Sequence, residues 1–323
     1  MKSEFDFISK IRASSALSKI GDDCAVLPKD SRTDLVITTD LLVEDIDFRI
    51  DWTKPEFLGH KALAVSLSDV AAMGAKPVWA MLSIGIPAPI WKTDFVEKLY
   101  DGWFALAQKF GVELVGGDVS KTPDKIVIDS IVAGEVKKGK AILRSGAKVG
   151  DLIFVSGELG GAAGGLKLLE GGVRYNHAEK IWRKRLMLKQ LQPFPRVPSG
   201  EFLRENNLAT SMIDLSDGLS SDLLHICLAS QVGAQIYANN IPFNKKLKPL
   251  AQSFDEKIDF ALNGGEDFEL LFTVNSKKYF EAENEFKNHR FFQVGKITAN
   301  TGIIELITDE KSTILPLKGF QHF

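Results

Sequence analysis

The feature that most restricts how this sequence can fold is a set of short acidic segments spread along the chain. Each places one or two carboxylates beside glycine, serine or threonine, and most of them follow a short apolar run. The segments are Gly21-Asp22-Asp23, Thr38-Thr39-Asp40, Ser68-Asp69, Gly116-Gly117-Asp118, Asp214-Leu215-Ser216-Asp217-Gly218 and Gly264-Gly265-Glu266-Asp267. An apolar run that stops at small polar residues is typical of a strand that passes into a loop. We therefore expect most of these carboxylates at strand ends.

Carboxylates with small neighbours are poorly suited to a packed core and well suited to hard cations. Magnesium prefers oxygen ligands, keeps several of its waters, and is usually held jointly by carboxylates and substrate phosphates. Any one Asp beside Gly or Ser is equally well explained as a turn residue or a helix cap. The recurrence of the pattern predicts several magnesium ions around a highly charged phosphate substrate.

Composition excludes several classes of protein. The chain has 323 residues, which favours two domains over one, and its 40 basic and 42 acidic residues give a net charge of −2. This balance predicts no nucleic-acid partner. Cys24 and Cys227 are not spaced like a zinc site, and we expect buried free thiols. We find no signal-peptide pattern and no membrane-length apolar run, so we expect a cytoplasmic protein without a membrane partner.

Predicted strands and helices alternate along the whole chain. Strands are predicted over 35–39, 79–86, 112–115, 126–134, 151–156 and 269–274, and helices over 5–19, 55–73, 93–110, 162–170, 178–190 and 220–230. The helix over 93–110 is expected to begin with a partial capping box at Thr93. A polar, glycine-rich stretch at 137–150 predicts a boundary between domains 1–145 and 146–323. The expected class is α/β (α+β) with two lobes.

The usual phosphate-binding motifs are missing from the sequence. There is no G-x-x-x-x-G-K-[ST] loop, and the protein-kinase motifs are absent as well. The glycine-rich run at 157–165 follows a predicted strand and opens a predicted helix. It is either a tight turn with close helix packing or a helix N-terminus that contacts phosphate. A phosphotransferase with this sequence must therefore depend on metal ions.

The acidic segments also resemble those of a known family. Ordered matches run from about residue 20 to the last residue, at 21–27, 38–40, 61–75, 115–118, 144–147, 213–219, 264–270 and 317–323. Together they resemble thiamine-monophosphate kinase, in the superfamily of aminoimidazole-ribotide synthetase, selenophosphate synthetase and hydrogenase-maturation proteins. The resemblance implies an N-terminal α/β domain that forms a dimeric β-barrel with its copy. It also implies a C-terminal α/β domain and an ATP site between the two.

The implied reaction is ATP-dependent phosphorylation of thiamine monophosphate to thiamine diphosphate, with Mg²⁺ as cofactor and ATP as co-substrate. The positions that match the family's magnesium ligands are Asp23, Thr38, Thr39, Asp40, Asp69, Asp118, Asp214 and Asp217. Those that match ATP contacts are Tyr100, Gly117, Asp118, Arg144 and Ser216. Those that match substrate contacts are Asp47, Glu266 and Phe320. The family also implies a homodimer.

The chemistry of this reaction agrees with the residues present. The acceptor is a phosphate monoester with a second pKa of about 6, so its oxygens are largely deprotonated at neutral pH. No general base is needed, and catalysis should consist of positioning and charge neutralisation around an in-line transfer. This is a physical reason for a site with many aspartates and no His or Cys nucleophile.

One segment departs from the family pattern. Asp47 stands where the family commonly has His, Asp45 where it has Gly, and Gly161 where it has Asp. A carboxylate at Asp47 could pair with the thiazolium ring or repel the phosphate. Two alternatives therefore stay open: another ATP-using enzyme of the superfamily with a different small acceptor, and a non-catalytic nucleotide-sensing protein. A selenophosphate synthetase fits less well, because Cys24 lies inside the Asp-Asp-Cys motif.

Overall fold

The structure is a computed structural model, and it describes residues 7–8, 10–11, 19–309 and 311–315. Phe320 lies outside the described residues. So does most of the helix predicted over 5–19, of which the described positions are helical. In the described part of the chain, we find no helix whose length and apolar character would let it cross a membrane.

The N-terminal half forms a five-stranded sheet with the order β1-β2-β5-β3-β4. Its strands are β1 (Ala25–Pro28), β2 (Thr33–Val43), β3 (Lys76–Pro87), β4 (Glu113–Thr122) and β5 (Val127–Lys137). Neighbouring strands are antiparallel except β3 and β4, which are parallel. The helices of this half are α1 (Pro55–Ala72), the short α2 (Ala88–Trp91) and α3 (Phe95–Phe110). A parallel pair needs a crossover connection, and α2 and α3 supply it.

The C-terminal half forms a seven-stranded mixed sheet with the order β12-β11-β8-β10-β6-β9-β7. Its strands are β6 (Leu152–Val155), β7 (Ala209–Asp214), β8 (Gly233–Tyr237), β9 (Leu270–Val274), β10 (Phe292–Thr298), β11 (Ile304–Ile307) and β12 (Ser312–Ile314). Its helices are α4 (Gly161–Glu170), α5 (Ile181–Leu191), α6 (Val197–Glu205), α7 (Leu219–Ser230), α8 (Phe254–Asn263), α9 (Ser276–Glu281) and α10 (Glu283–His289). The class is thus α/β with two sheets, and neither sheet closes on itself within the described ranges.

Helix α1 is the central element between the two halves. Pro55 occupies its first turn, where a missing N–H costs nothing, and the following Ala, Leu and Val residues are almost all fully buried. A helix that is apolar on every side belongs in a core. The helix contacts α3, β2 and β5 of the N-terminal half and α6 and β7 of the C-terminal half. Its few polar side chains must therefore find partners inside the protein.

Several of the predicted strand ends are wrong. Strand β4 does not stop before Gly116 but continues to Thr122, so Asp118 lies inside a strand. Asp40 also lies inside its strand, because β2 continues to Val43. Asp69 lies on α1, within the helix predicted over 55–73. Asp214 is the last residue of β7, as expected. Glycines have low strand propensity, but backbone pairing with β3 outweighs that preference in β4.

The start of α3 also differs from the prediction. The helix begins at Phe95 with Asp94 as its N-cap, and the Asp94 side chain makes no capping hydrogen bond. The Thr93 hydroxyl donates a hydrogen bond to the carbonyl of Ile90 at 2.7 Å and accepts one from the Phe95 N–H at 3.3 Å. Thr93 therefore supports the first turn of α3 from the position before the N-cap, and not as the N-cap of a capping box.

One face of the N-terminal sheet carries exposed apolar side chains. Leu41 of β2 and Met81 of β3 point away from α1 and are 58% and 37% exposed. The edge strand β4 also exposes Val119, but Val119 is in register with the buried Ile84 and so lies on the opposite face. Contiguous exposed apolar side chains are uncommon on isolated proteins and typically mark interaction surfaces.

Candidate active site

Three carboxylates meet at one point between the two halves of the chain. Asp23 precedes β1, Asp69 lies on α1, and Asp214 ends β7. One oxygen of each lies within 4.8 Å of the others, which is close enough to share a cation. Hard cations are held by converging oxygens of this kind. The structure therefore brings together three of the predicted metal ligands from distant parts of the sequence.

Hydroxyl groups fix the orientation of these carboxylates. Thr38 of β2 donates to Asp69 Oδ2 at 2.5 Å, and Ser68 of α1 donates to Asp214 Oδ2 at 2.6 Å. Residues that point inward from β2 alternate with residues that point outward, so Thr38 and Asp40 share the face toward α1. Thr38 is thus joined to the cluster by its hydroxyl.

Asp40 lies next to the cluster, on the same face of β2. Ser66 of α1 donates to Asp40 Oδ2 at 2.6 Å. Ser66 and Ser68 are completely buried polar side chains of a helix that is otherwise apolar. Both of them serve the acidic residues, which explains why α1 tolerates them.

Burial and mutual repulsion shift the pKa values of this group. Burial is the main cause that raises the pKa of Asp40 to about 6 and that of Asp214 to about 8, and the charge of Asp23 adds to both. The pKa of Asp69 is also raised well above its ordinary value, first by burial and then by Asp40 and Asp214. Crowded carboxylates that lack water retain protons near neutral pH. A bound cation removes that repulsion and favours the ionised forms.

Arg144 and Asp23 form an ion pair at the edge of the cluster. Arg144 Nη2 lies 2.7 Å from Asp23 Oδ1, and the Arg144 backbone N–H donates to Asp22 Oδ1 at 2.7 Å. Asp22 thus holds the backbone of this segment, while Asp23 holds the guanidinium. Among the described residues, no group hydrogen-bonds to the buried Asp23 Oδ2. A buried carboxylate oxygen without a partner is unfavourable, and a cation at the cluster would satisfy it.

A cavity of about 500 Å³ reaches Asp40, the neighbour of the three-carboxylate cluster, and is lined by residues of both halves. The predicted site residues on its wall are Asp40, Asp47, Ser216, Asp217 and Glu266. Lys61, Arg49 and Trp52 also line it. The structure therefore gathers predicted metal, nucleotide and substrate positions around one space of the size of a ligand pocket.

Asp47 lies on the wall of this cavity, in the short loop that follows β2. Its Oδ2 accepts a hydrogen bond from the Val43 N–H at 2.7 Å, so the carboxylate stabilises the turn that follows β2. Asp45, in the same turn, has a left-handed backbone with φ 74° and pairs with Lys125. Glycine adopts this conformation without cost, which gives a physical reason for the glycine usual in the family.

Two predicted metal positions lie on the opposite face of the N-terminal sheet. The Thr39 hydroxyl donates to Asp129 Oδ1 of β5 at 2.6 Å. Asp129 and Asp118 are each in register with Ser83 of β3, so all three point to the same side, away from α1. The structure does not bring the side chains of Thr39 and Asp118 to the cluster.

Gly117 and Tyr100 also lie apart from the cavity. Gly117 has φ 153°, and a Cβ there would lie 1.9 Å from the Leu82 carbonyl oxygen, so the close approach of β4 to β3 requires glycine. Tyr100 lies half-buried on α3 with its ring centroid 5.9 Å from that of Phe104. Neither residue is part of the cavity wall.

Sequence reasoning missed several polar residues near the site: Lys61, Ser66, Ser68, Asp129, Gln190 and Asp222. Asp222 of α7 is almost fully buried, and its Oδ2 accepts from the backbone N–H groups of Asp217 at 3.2 Å and Gly218 at 3.1 Å. A signal was available for those on α1, because polar residues within an apolar helix need internal partners. Asp129 and Gln190 gave no such local signal.

Family models match both halves of the chain. Residues 21–136 match the AIR synthase related protein, N-terminal domain, and residues 148–306 match the AIR synthase related protein, C-terminal domain. The first match spans the five-stranded sheet up to residue 136, and the second spans the seven-stranded sheet up to residue 306, without β12.

Individual relatives share the whole length of the chain. The curated thiamine-monophosphate kinase of Buchnera aphidicola subsp. Acyrthosiphon pisum is 39% identical over 99% of this chain and 98% of its own, and that of Bacillus subtilis is 36% identical over 99% of each. The solved structure of AaThiL complexed with AMPPCP and TMP matches with a TM-score of 0.86 and 32% identity, over 99% of this chain and 97% of its own. With sequence and fold in agreement over both halves, the chain belongs to the thiamine-monophosphate kinase family.

Proposed function

We propose that the chain is an ATP-dependent kinase that phosphorylates thiamine monophosphate to thiamine diphosphate. The observation that carries this proposal is the meeting of Asp23, Asp69 and Asp214 next to Asp40, which lines the same cavity as Glu266. Its curated relatives carry the name of this activity, and AaThiL was solved with AMPPCP and TMP. A kinase that lacks a lysine-bearing phosphate loop needs metal ions to neutralise the phosphate charge, and a cluster of carboxylates can hold them.

Mg²⁺ is the cation that best fits the cluster, because every side-chain ligand available is a hard oxygen. Asp23, Asp69 and Asp214 would hold it, with Asp40 and Asp217 at the cavity edge. When bound, magnesium neutralises phosphate charge and favours the ionised carboxylates. The buried, unpartnered Asp23 Oδ2 supports this assignment.

The remaining roles belong to residues that bind and orient. Arg144, whose guanidinium reaches Asp23, is suited to pair with ATP phosphate as well, since a planar guanidinium binds oxyanions at two points. Ser216 lies on the cavity wall in the same loop as Asp217. Glu266 supplies an anion for the cationic thiazolium. The acceptor phosphate is already ionised, so no residue need remove a proton.

The homodimer is part of this proposal. The exposed face of the N-terminal sheet, with Leu41 and Met81, supports pairing with a second copy into a β-barrel. Thr39, Asp118 and Asp129 lie on this same face, so a second copy would cover them and could complete their surroundings. The proposed boundary between domains 1–145 and 146–323 is supported by the sheets, whose strands lie on either side of it.

An assay of ADP release tests the function directly. Purified protein is supplied with ATP and MgCl₂, and thiamine monophosphate is compared with thiamine as the acceptor. We expect magnesium-dependent turnover with the monophosphate alone, and thiamine diphosphate as the product. Asp69→Asn should lose most of this activity, whereas Asp94→Asn, an exposed residue far from the cluster, should retain it.

The opposite result is equally clear. Protein that binds ATP but turns over neither acceptor would reject thiamine monophosphate as the substrate. It would favour another small acceptor, and Asp47 would be the first residue to exchange for the histidine usual in the family.

A further inference from the structure

Lys61 is a buried lysine at the wall of the cavity. Its side chain is only 3% exposed, although it stands among the apolar residues of α1. Removing an ammonium group from water is costly unless another charge and hydrogen bonds compensate. Lys61 Nζ lies 2.6 Å from Glu266 Oε1 and donates to the Asp47 carbonyl at 3.3 Å. Both partners belong to the proposed substrate end of the site.

Glu266 is held at both of its carboxylate oxygens. Lys61 binds Oε1, and the Gln190 side-chain amide of α5 donates to Oε2. A carboxylate can accept about four hydrogen bonds, so each oxygen keeps capacity for a ligand. The Glu266 side chain is 30% exposed and lies on the cavity wall. The carboxylate is thus fixed in direction while it remains accessible.

The backbone beneath Glu266 is strained. Glu266 has φ 55° and Phe268 has φ 47°, which non-glycine residues rarely adopt. Such strain persists only where surrounding contacts maintain it, and it is frequent at ligand sites. Asp267 contributes by accepting hydrogen bonds from the backbone N–H groups of Gly160 and Ala162, at 2.5 and 3.0 Å. The segment is therefore held so that Glu266 faces α1.

The Lys61–Glu266 pair connects the two halves of the chain across the cavity. Lys61 comes from the helix under the N-terminal sheet, and Glu266 comes from the loop that precedes β9. We propose that Lys61 is a positioning residue for the acceptor: it fixes the Glu266 carboxylate so that this group meets the cationic ring of the substrate. This inference rests on the proposed function, because it takes the acceptor to be a phosphate ester with a positive ring.

Four proteins test the proposal as a double-mutant cycle: the wild type, Lys61→Met, Glu266→Gln and the double variant. We expect Lys61→Met to raise KM for thiamine monophosphate about tenfold or more, with KM for ATP within about twofold of the wild type. In the Glu266→Gln background the same substitution should add little, because residues that act through one another are not additive. Lys61→Arg should restore part of the lost affinity, since it keeps the charge.

Lys98→Met is the matched control. Lys98 is an exposed lysine of α3 that pairs with Asp94, and its loss should change neither KM. Equal, additive effects of Lys61→Met in both backgrounds would overturn the proposal and indicate direct contact between Lys61 and the substrate. If Lys61→Met lowers kcat and Tm and raises KM for both substrates, Lys61 has only a structural role.

Two further variants keep the test decisive if Lys61→Met fails to fold. Gln190→Leu removes the second support of Glu266, and Lys61→Arg keeps a cation in place. If neither variant changes KM for thiamine monophosphate, the carboxylate needs no positioning and the proposal is wrong. A failure of the proposed function itself looks different, because the wild-type protein would then show no turnover with this acceptor.

Discussion

Single residues of the site show how strongly a carboxylate depends on its surroundings. Asp214 and Asp222 are both almost fully buried, yet one faces the carboxylate cluster and the other holds backbone N–H groups. Asp267 caps the start of α4, while Glu269, two positions away, pairs with Arg196 and Lys189. Neighbouring acidic residues therefore have separate roles, which their order in the sequence does not distinguish.

The first prediction concerns the pH dependence of stability without metal. A folded-state pKa that is raised, as at Asp214 to about 8, means that the folded protein binds a proton more tightly than the unfolded chain. The free energy of unfolding then decreases as pH rises from the ordinary pKa of 3.8 to the folded-state pKa of about 8. His60 and His225, whose pKa values are lowered by burial, act in the opposite direction only below about 6.5.

We therefore expect the Tm of protein in EDTA to fall between pH 6.5 and pH 8. Added Mg²⁺ should raise Tm more at pH 8 than at pH 6.5, because proton and metal compete for the same oxygens. Asp214→Asn should flatten the pH dependence, and thermal unfolding by calorimetry measures all three effects. A Tm that rises over this range in EDTA would contradict the assigned pKa shifts.

The second prediction concerns Asp47. Its carboxylate accepts the Val43 N–H, and an asparagine oxygen could accept the same bond without the charge. We expect Asp47→Asn to keep its Tm within about 1 °C of the wild type and its kcat/KM for thiamine monophosphate within about threefold. Asp47→Ala should lose about 1 kcal/mol of stability, the usual contribution of one hydrogen bond.

Steady-state kinetics and denaturant unfolding of the two Asp47 variants separate these effects. A large rise in KM for Asp47→Asn, with unchanged stability, would show that the charge itself contacts the substrate. In that case the departure from the family's histidine would be a change in recognition.

At the scale of elements, α1 and the loop before α7 carry the site. Helix α1 contributes Lys61, Ser66, Ser68 and Asp69, which at about 3.6 residues per turn are spread over about half of the circumference of a buried helix. The loop between β7 and α7 contributes Ser216 and Asp217 to the cavity. The helix is rigid because it is packed on all sides, whereas the loop needs its own support.

Asp222 supplies that support, and the third prediction tests it. Asp222→Ala leaves the backbone N–H groups of Asp217 and Gly218 without their acceptor. We expect a loss of about 1–3 kcal/mol in the free energy of unfolding and an increased Mg²⁺ requirement for activity. Asp222→Asn, which keeps an acceptor oxygen, should lose less of both. Equal stability of Asp222→Ala and the wild type in urea would disprove this role.

At the scale of the whole molecule, part of the fold and site could be predicted from sequence. The alternation of predicted strands and helices predicted two α/β halves. The carboxylates beside small residues predicted a metal-dependent site. Asp214 lies at the end of β7, as expected for a carboxylate that follows an apolar run, although no strand was predicted over 209–214. The extension of β4 through Asp118 was not predicted, because its pairing with β3 is a contact between distant segments. The partnership of Lys61 with Glu266 depends on a contact of the same kind.

The last prediction is the assembly of two chains through the N-terminal sheet. Leu41 and Met81 lie on its exposed face, and burying them against a second copy would remove apolar surface from water. Two lysines there would place like charges opposite each other in a symmetric interface. We expect the wild type to be a dimer by light scattering and the Leu41→Lys/Met81→Lys variant to be a monomer with an unchanged circular dichroism spectrum.

Phe280→Lys, at an exposed apolar position of the C-terminal half, should leave the dimer intact. A wild type that is monomeric at micromolar concentration would reject the barrel, and Thr39, Asp118 and Asp129 would then act from an open sheet face.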